Sequence, residues 1–131
     1  MRICVRLGLI IFILLTCMIA DGKIPLYESI ESHLSKYRQS IEVDDVSFQN
    51  GIIRLELGGR RTNIKFQLLL GFYSVGRAVQ KNSTHIREIQ IVIYYDMKER
   101  QEVRVSASVE KVLELSQGQL SSEQFFSILG Y

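Results

Sequence analysis

The chain has 131 residues, of which 47% are hydrophobic and 23% are charged, and it contains a single proline. This length and composition are typical of one folded domain with a real core, and they exclude a disordered chain and a second domain of ordinary size. The net charge of +2 comes from Arg2 and Arg6 near the amino terminus, so the remainder of the chain is neutral. Because nucleic-acid binding needs a concentrated positive field, we expect no nucleic-acid partner.

The first twenty residues predict a signal peptide or a membrane anchor. Residues 1–6 are short and positive, and residues 7–20 carry no charge. A helix of about fourteen residues rises only about 21 Å, short of the roughly 30 Å hydrocarbon core, which favours a cleaved signal peptide. Cleavage after Ala20 is one alternative. Lipidation of Cys17 is another, because residues 14–17 resemble a bacterial lipobox. We therefore expect an extracytoplasmic protein that is periplasmic, cell-surface or secreted, and that is either released or membrane-anchored.

After this leader, residues 21–131 predict a single α+β domain, which begins with a helix and a hairpin. Apolar residues recur at helical spacing over about residues 25–39. Apolar and polar residues alternate on both sides of Asn50 and Gly51, a dipeptide that favours the positive φ angles of a primed hairpin turn. No cysteine follows Cys17, so we expect no internal disulfide in this domain.

A long helix is predicted from Thr62 or Asn63 to about Lys81, and it has two apolar stripes on nearly opposite sides. A helix that is apolar on both sides must be covered on both sides. We therefore predict that the second stripe, extended by two residues of the following strand, is an interaction patch for a protein partner. The alternative is that other helices of the same chain bury this stripe. The predicted patch consists of Phe66, Leu70, Tyr73, Val92 and Tyr94.

Four further elements follow in the second half of the chain. Residues 89–95 alternate strongly and predict a third strand, which pairs with a fourth strand at residues 103–105. A short helix then ends before Gly118, and Ser121 with Gln124 is a capping box that opens a last helix. The predicted order is α-ββ-α-ββ-αα, with a four-stranded antiparallel-rich sheet packed against helices and preceded by the signal or anchor helix.

The α-ββ-α-β portion of this order is similar to that of the envelope modules called BON domains. Residues 50–55, Asn-Gly-Ile-Ile-Arg-Leu, resemble the turn and strand of those modules. The glycine that those modules place before the strand after the helix is absent at residues 85–88. The resemblance therefore implies a shared topology and no particular activity.

The loop at residues 58–63 conflicts with the usual charge pattern of a helix start. Arg60 and Arg61 lie where positive charge opposes the helix macrodipole. An anion held by the loop amides, by Thr62 and by the two guanidinium groups would relieve this conflict. The loop is therefore a predicted site for a small anionic ligand or a lipid head group. The alternative is a turn with solvated arginines.

Residue types that perform catalysis are scarce after the leader. His33 and His85 lie on different elements without further metal ligands at a suitable spacing, and no Gly-x-Ser-x-Gly elbow supplies a nucleophile. Acidic residues at positions 42, 44 and 45 lack the spacing of a calcium loop. We therefore expect no catalytic residue, no metal and no cofactor.

These observations favour an exported, non-enzymatic domain that binds a protein, an envelope component or a second copy of itself in a homodimer. The first alternative is a binder of a small anionic ligand or a lipid head group at the loop of residues 58–63, and the second is a hydrolase of unrecognised type. We expect contact with a membrane through the N-terminal segment, if that segment is retained or lipidated.

Overall fold

The computed structural model describes residues 24–82 and 85–131. The predicted signal or anchor segment, with Cys17, lies outside these described residues. The elements in chain order are α1 (residues 24–35), β1 (Val46–Gln49), β2 (Ile52–Gly59), α2 (Ile64–Lys81), β3 (Glu88–Asp96), β4 (Arg100–Ser108), α3 (Val109–Ser116) and α4 (Ser122–Leu129). Short 3-10 turns at Val43–Asp45 and Arg61–Asn63 precede β1 and α2.

The predicted α+β class is confirmed, as is the order of its helices and strands. The four strands form one mixed sheet in the order β1-β2-β3-β4. The outer pairs, β1 with β2 and β3 with β4, are antiparallel, whereas β2 and β3 run parallel at the centre. Parallel neighbours need a long crossover connection, and α2 supplies it.

The hairpin between β1 and β2 has the predicted turn. Asn50 and Gly51 adopt φ angles of 54° and 77°, as a primed turn requires at both central positions. The backbone N–H of Arg87 donates to the carbonyl oxygen of Gly51 at 2.8 Å. This hydrogen bond joins the hairpin turn to the start of β3.

The first helix ends four residues earlier than predicted, at residue 35 instead of residue 39. Arg38 adopts a φ angle of 61°, in the left-handed region. The N–H groups of Arg38 and Gln39 donate to the carbonyl oxygens of Ser35 and Leu34 at 3.1 and 3.2 Å. This is the hydrogen-bond pattern of a Schellman helix end, which usually contains a glycine. The boundary was missed because an arginine replaces that glycine.

The predicted helix caps differ in how the side chains take part. Ser121 and Gln124 form the predicted capping box, with the backbone N–H of Gln124 donating to the Ser121 hydroxyl at 3.2 Å. Asn63 occupies the N-cap position of α2, but its side chain accepts no capping hydrogen bond. Gly118 ends α3 with a φ angle of 79°, as a C-terminal glycine does.

The core lies between the sheet and a layer of helices. The isoleucines of β3 at positions 89, 91 and 93 are fully buried, and α2 packs so closely on them that a Cβ atom on Gly71 would lie 3.1 Å from the Cγ2 atom of Ile91. The rings of Phe72 in α2 and Phe125 in α4 meet with centroids 5.2 Å apart. Since α1 and α3 also contact α2, the helices cover one side of the sheet.

Candidate functional site

A cavity of about 310 Å³ opens between α1, α2 and the connection from α3 to α4. We call it the aromatic groove, and its walls include His33, Tyr37, Phe66, Leu70, Tyr73 and Leu120. α1 lies along α2 in the opposite direction, because Tyr37, just after α1, contacts Phe66 near the start of α2, with ring centroids 6.4 Å apart, and the earlier His33 contacts Ser74 further along α2. Apolar side chains from both helices thus face one space.

The side chains of this groove differ in how much of each is exposed. Phe66 is 54% exposed and Tyr37 is 50% exposed, whereas Leu70 is 5% exposed. Tyr73 is half-buried, and its ring centroid lies 5.5 Å from that of His33. The second apolar stripe of α2 is therefore covered by α1 at its centre and is open at Phe66.

The structure divides the predicted interaction patch between two places. Phe66, Leu70 and Tyr73 line the aromatic groove. Val92 and Tyr94 lie in β3 on either side of Ile93, which is buried on the side of the helices, and successive side chains of a strand point to opposite faces. They therefore lie on the far side of the sheet, where Val92 is fully buried and Tyr94 is half-buried. The five residues do not form one surface.

His33 is a residue of this region to which the sequence assigned no role. Its Nδ1 atom shares a hydrogen bond of 2.7 Å with the hydroxyl of Ser74, which is fully buried in α2. Burial lowers the pKa of the His33 imidazole, and the nearby cations Arg77, Lys36 and Lys81 lower it further. The signal in the sequence was the spacing of four residues between His33 and Tyr37. Although α1 ends at residue 35, the two rings lie with their centroids 5.7 Å apart.

A second cavity, of about 360 Å³, lies on the other side of His33. We call it the basic groove, and its walls include Ser29, Ser32, His33, Lys36, Arg77 and Lys81. The guanidinium carbon of Arg77 lies 5.4 Å from the ring centroid of Tyr73. Because Tyr73 lines the aromatic groove and His33 lines both grooves, the two cavities are neighbours along α2.

The far side of the sheet carries charged side chains that pair with one another. We call it the charged face, after Arg54, Glu56, Tyr94, Glu102 and Arg104. Arg54 and Glu56 form an ion pair of 3.0 Å, and Arg104 and Glu102 form one of 3.1 Å. The Tyr94 hydroxyl donates to the Glu56 carboxylate at 3.3 Å. Arg54 and Arg104 thus have carboxylate partners from the same chain, whereas Arg100 lies with its guanidinium carbon 4.4 Å from the ring centroid of Tyr94.

The predicted anion loop lies apart from both grooves. Arg60, Arg61 and Thr62 are exposed, and they belong to the walls of neither the aromatic nor the basic groove. The backbone N–H of Asn63 donates to the carbonyl oxygen of Arg60 at 2.9 Å within the 3-10 turn, so this amide has a partner inside the loop. The two arginines of this loop therefore lie on the surface, and neither of them lines one of the two grooves.

Neither a metal cluster nor a membrane span is present in residues 24–82 and 85–131. No three histidine, cysteine, aspartate or glutamate side chains converge there as a metal site requires, and no helix of this part of the chain is both long and apolar enough to cross a bilayer. Comparisons of the chain with protein-family models, with curated proteins and with solved structures find no match. The geometry of the two grooves is therefore the basis for any functional conclusion.

Proposed function

We propose that the protein is an exported, non-enzymatic binding domain, and that its aromatic groove binds the apolar chain of an envelope component. The observation that carries this proposal is the pair of exposed rings, Phe66 at 54% and Tyr37 at 50%, which contact each other beside a cavity of about 310 Å³. Removing apolar surface from water contributes about 25 cal/mol for each Å². A ligand that covers both rings would therefore bind with a favourable free energy.

The size of the groove supports a single chain as its occupant. Small-molecule sites commonly measure roughly 300–1,000 Å³, and the aromatic groove, at about 310 Å³, lies at the lower end of this range. Such a volume suits one apolar chain better than the two chains of a phospholipid. Leucine side chains such as Leu70 and Leu120 line the groove beside the rings, which suits a chain of methylene groups.

A hydrolase has less support from the same residues. His33 and Ser74 share a short hydrogen bond, as the base and nucleophile of an acyl-transfer enzyme do. However, Ser74 is fully buried in the helix layer, and it is not among the residues that line either groove. A ligand in the grooves would therefore not reach its hydroxyl. The charged groups that influence His33 are cations, whereas a carboxylate orients the base in such enzymes. We therefore interpret the pair as a packing contact between α1 and α2.

The proposal is tested by titrating the purified full chain with dodecyl maltoside, a neutral single-chain ligand, below its micelle concentration. Binding is measured by calorimetry. We expect Phe66→Ser to weaken binding roughly tenfold, because the variant removes apolar contact worth on the order of 1.4 kcal/mol. Phe48→Ser is the matched control, since Phe48 is also an exposed phenylalanine, at 44%, but lies outside the groove. Both variants keep the apolar leader, so its own contribution to binding cancels.

Two results would contradict the proposal. Equal affinities for wild type, Phe66→Ser and Phe48→Ser would show that the groove is not the binding surface. A wild type that self-associates in sedimentation, and becomes monomeric when Phe66 and Tyr73 are changed to serine, would make the groove a homodimer contact instead.

The exported location is proposed from the leader sequence, with its positive start and its uncharged stretch from residue 7 to residue 20. Intact mass of the natively expressed protein, combined with cell fractionation, tests it. We expect a mass that corresponds to cleavage after Ala20, to lipidation at Cys17 or to a retained membrane-bound leader. A soluble intracellular product that retains Met1 would contradict the location.

A further inference from the structure

Along α2, one row of side chains changes from apolar to cationic. Phe66, Leu70 and Tyr73 line the aromatic groove, and Arg77 and Lys81 follow them in the walls of the basic groove. Steps of three or four residues keep all five on one side of the helix. The row extends about 22 Å along the helix axis, at 1.5 Å per residue. This side of α2 therefore suits a ligand with an apolar end and an anionic end.

The two halves of this row are joined by contacts. His33 lines both grooves, and the Arg77 guanidinium lies 5.4 Å from the ring centroid of Tyr73. Lys36 reaches the basic groove from α1, so cations approach it from both helices. The two grooves therefore lie next to each other, with His33 as the wall that they share.

The cations of the basic groove lack the carboxylate partners that Arg54 and Arg104 have on the charged face. Within residues 24–82 and 85–131, no carboxylate lies within 4.0 Å of Lys36, Arg77 or Lys81. Glu28 is the acidic residue among the walls of the groove, so the walls retain a net positive charge. The contribution of the three cations to the lowered pKa of His33 reflects the same positive potential. An anionic group placed there would be attracted by three unpaired charges.

We infer that the ligand is a fatty acid, whose chain lies in the aromatic groove and whose carboxylate lies among Lys36, Arg77 and Lys81. This inference rests on the proposed function of the aromatic groove. A carboxylate is an anion that the Arg77 guanidinium can bind through two N–H groups, and the net positive charge of the walls attracts it.

The test compares dodecanoate with dodecyl maltoside, each below its micelle concentration, by calorimetry on the full chain. We expect wild type to bind dodecanoate roughly ten times more tightly than the neutral ligand. We expect Arg77→Gln/Lys81→Gln to remove this difference by weakening the binding of dodecanoate. Both side chains are exposed, so the double variant keeps the fold. Arg60→Gln/Arg61→Gln is the matched control, because it removes two positive charges before the start of the same helix.

Several outcomes would overturn the inference. Unchanged affinity of Arg77→Gln/Lys81→Gln for dodecanoate would show that the carboxylate lies elsewhere. A loss in Arg60→Gln/Arg61→Gln alone would place it at the loop of residues 58–63. Dodecyl phosphate binding ten times more tightly than dodecanoate would assign the site to phosphate monoesters. In all three cases, the proposed function stands if Phe66→Ser still weakens dodecyl maltoside binding, and it fails separately if Phe66→Ser does not.

Discussion

The helical side of the molecule and the charged face of the sheet differ in how their charges are satisfied. On the charged face, Arg54 and Glu56 pair at 3.0 Å and Tyr94 adds a hydrogen bond to the same carboxylate. On the helical side, Lys36 and Arg77 have no such partner in the described ranges. Lys36 precedes the exposed Tyr37, and Arg77 lies over the half-buried ring of Tyr73. Charges that are already paired gain less from a ligand than unpaired charges next to apolar surface do. This contrast places the candidate site between α1 and α2.

The largest expected effect is a difference in stability between variants of two phenylalanines in α2, one in the core and one in the aromatic groove. Phe72 is fully buried against Phe125, so we expect Phe72→Ala to lower the free energy of unfolding by about 3–5 kcal/mol. Phe66 is 54% exposed, and we expect Phe66→Ala to lower it by less than about 1 kcal/mol. Urea denaturation of both variants checks this. Equal losses would show that Phe66 belongs to the core, and the argument for an open groove would fail.

A smaller effect is expected at two adjacent glycines that end β2 and face opposite sides of the sheet. A Cβ atom on Gly59 would overlap Gln67 Oε1 and lie 2.8 Å from the Cγ2 atom of Ile93. We therefore expect Gly59→Ala to cost about 1–3 kcal/mol in unfolding free energy. Gly58→Ala is the control, because a Cβ atom there meets nothing within 4 Å. Thermal denaturation compares the two, and an equally unstable Gly58→Ala would contradict this assignment of sides.

The smallest effect concerns pH and His33. Burial and three cations lower the pKa of His33 below its ordinary value of 6.5. The unfolded chain therefore binds more protons than the folded one just below that pH, and stability must fall as pH falls through this range. We expect wild type to lose more stability between about pH 7.5 and 5.5 than His33→Asn does. Parallel pH profiles for the two proteins in urea denaturation would contradict the shift.

Local patterns sufficed to predict most of the fold. The Asn50-Gly51 turn, the capping box at Ser121 and the extent of α2 each depend on residues that are close in sequence. The end of α1 was missed, because Arg38 adopts the left-handed conformation that the sequence signal expects of a glycine. Helices, strands and turns could therefore be predicted wherever each residue adopts the conformation that is usual for its type.

The candidate site was predictable only in part. The apolar half of the row, from Phe66 to Tyr73, follows from helical spacing, and the same spacing extends it to Arg77. The partner helix does not follow from it, because His33 and Ser74 meet across 41 residues of sequence. Val92 belonged to the predicted patch, although its alternation with the isoleucines of β3 places it on the charged face. The grooves depend on tertiary packing that local spacing does not specify.

The most direct test of the central claim is amide chemical-shift mapping by NMR of the full chain titrated with dodecanoate. The account predicts shifts at Tyr37, Phe66 and Tyr73 in the aromatic groove and at Arg77 beside it, with residues of the charged face such as Arg54 unchanged. Shifts confined to the charged face, or an absence of shifts in α1 and α2 at saturating ligand, would contradict it.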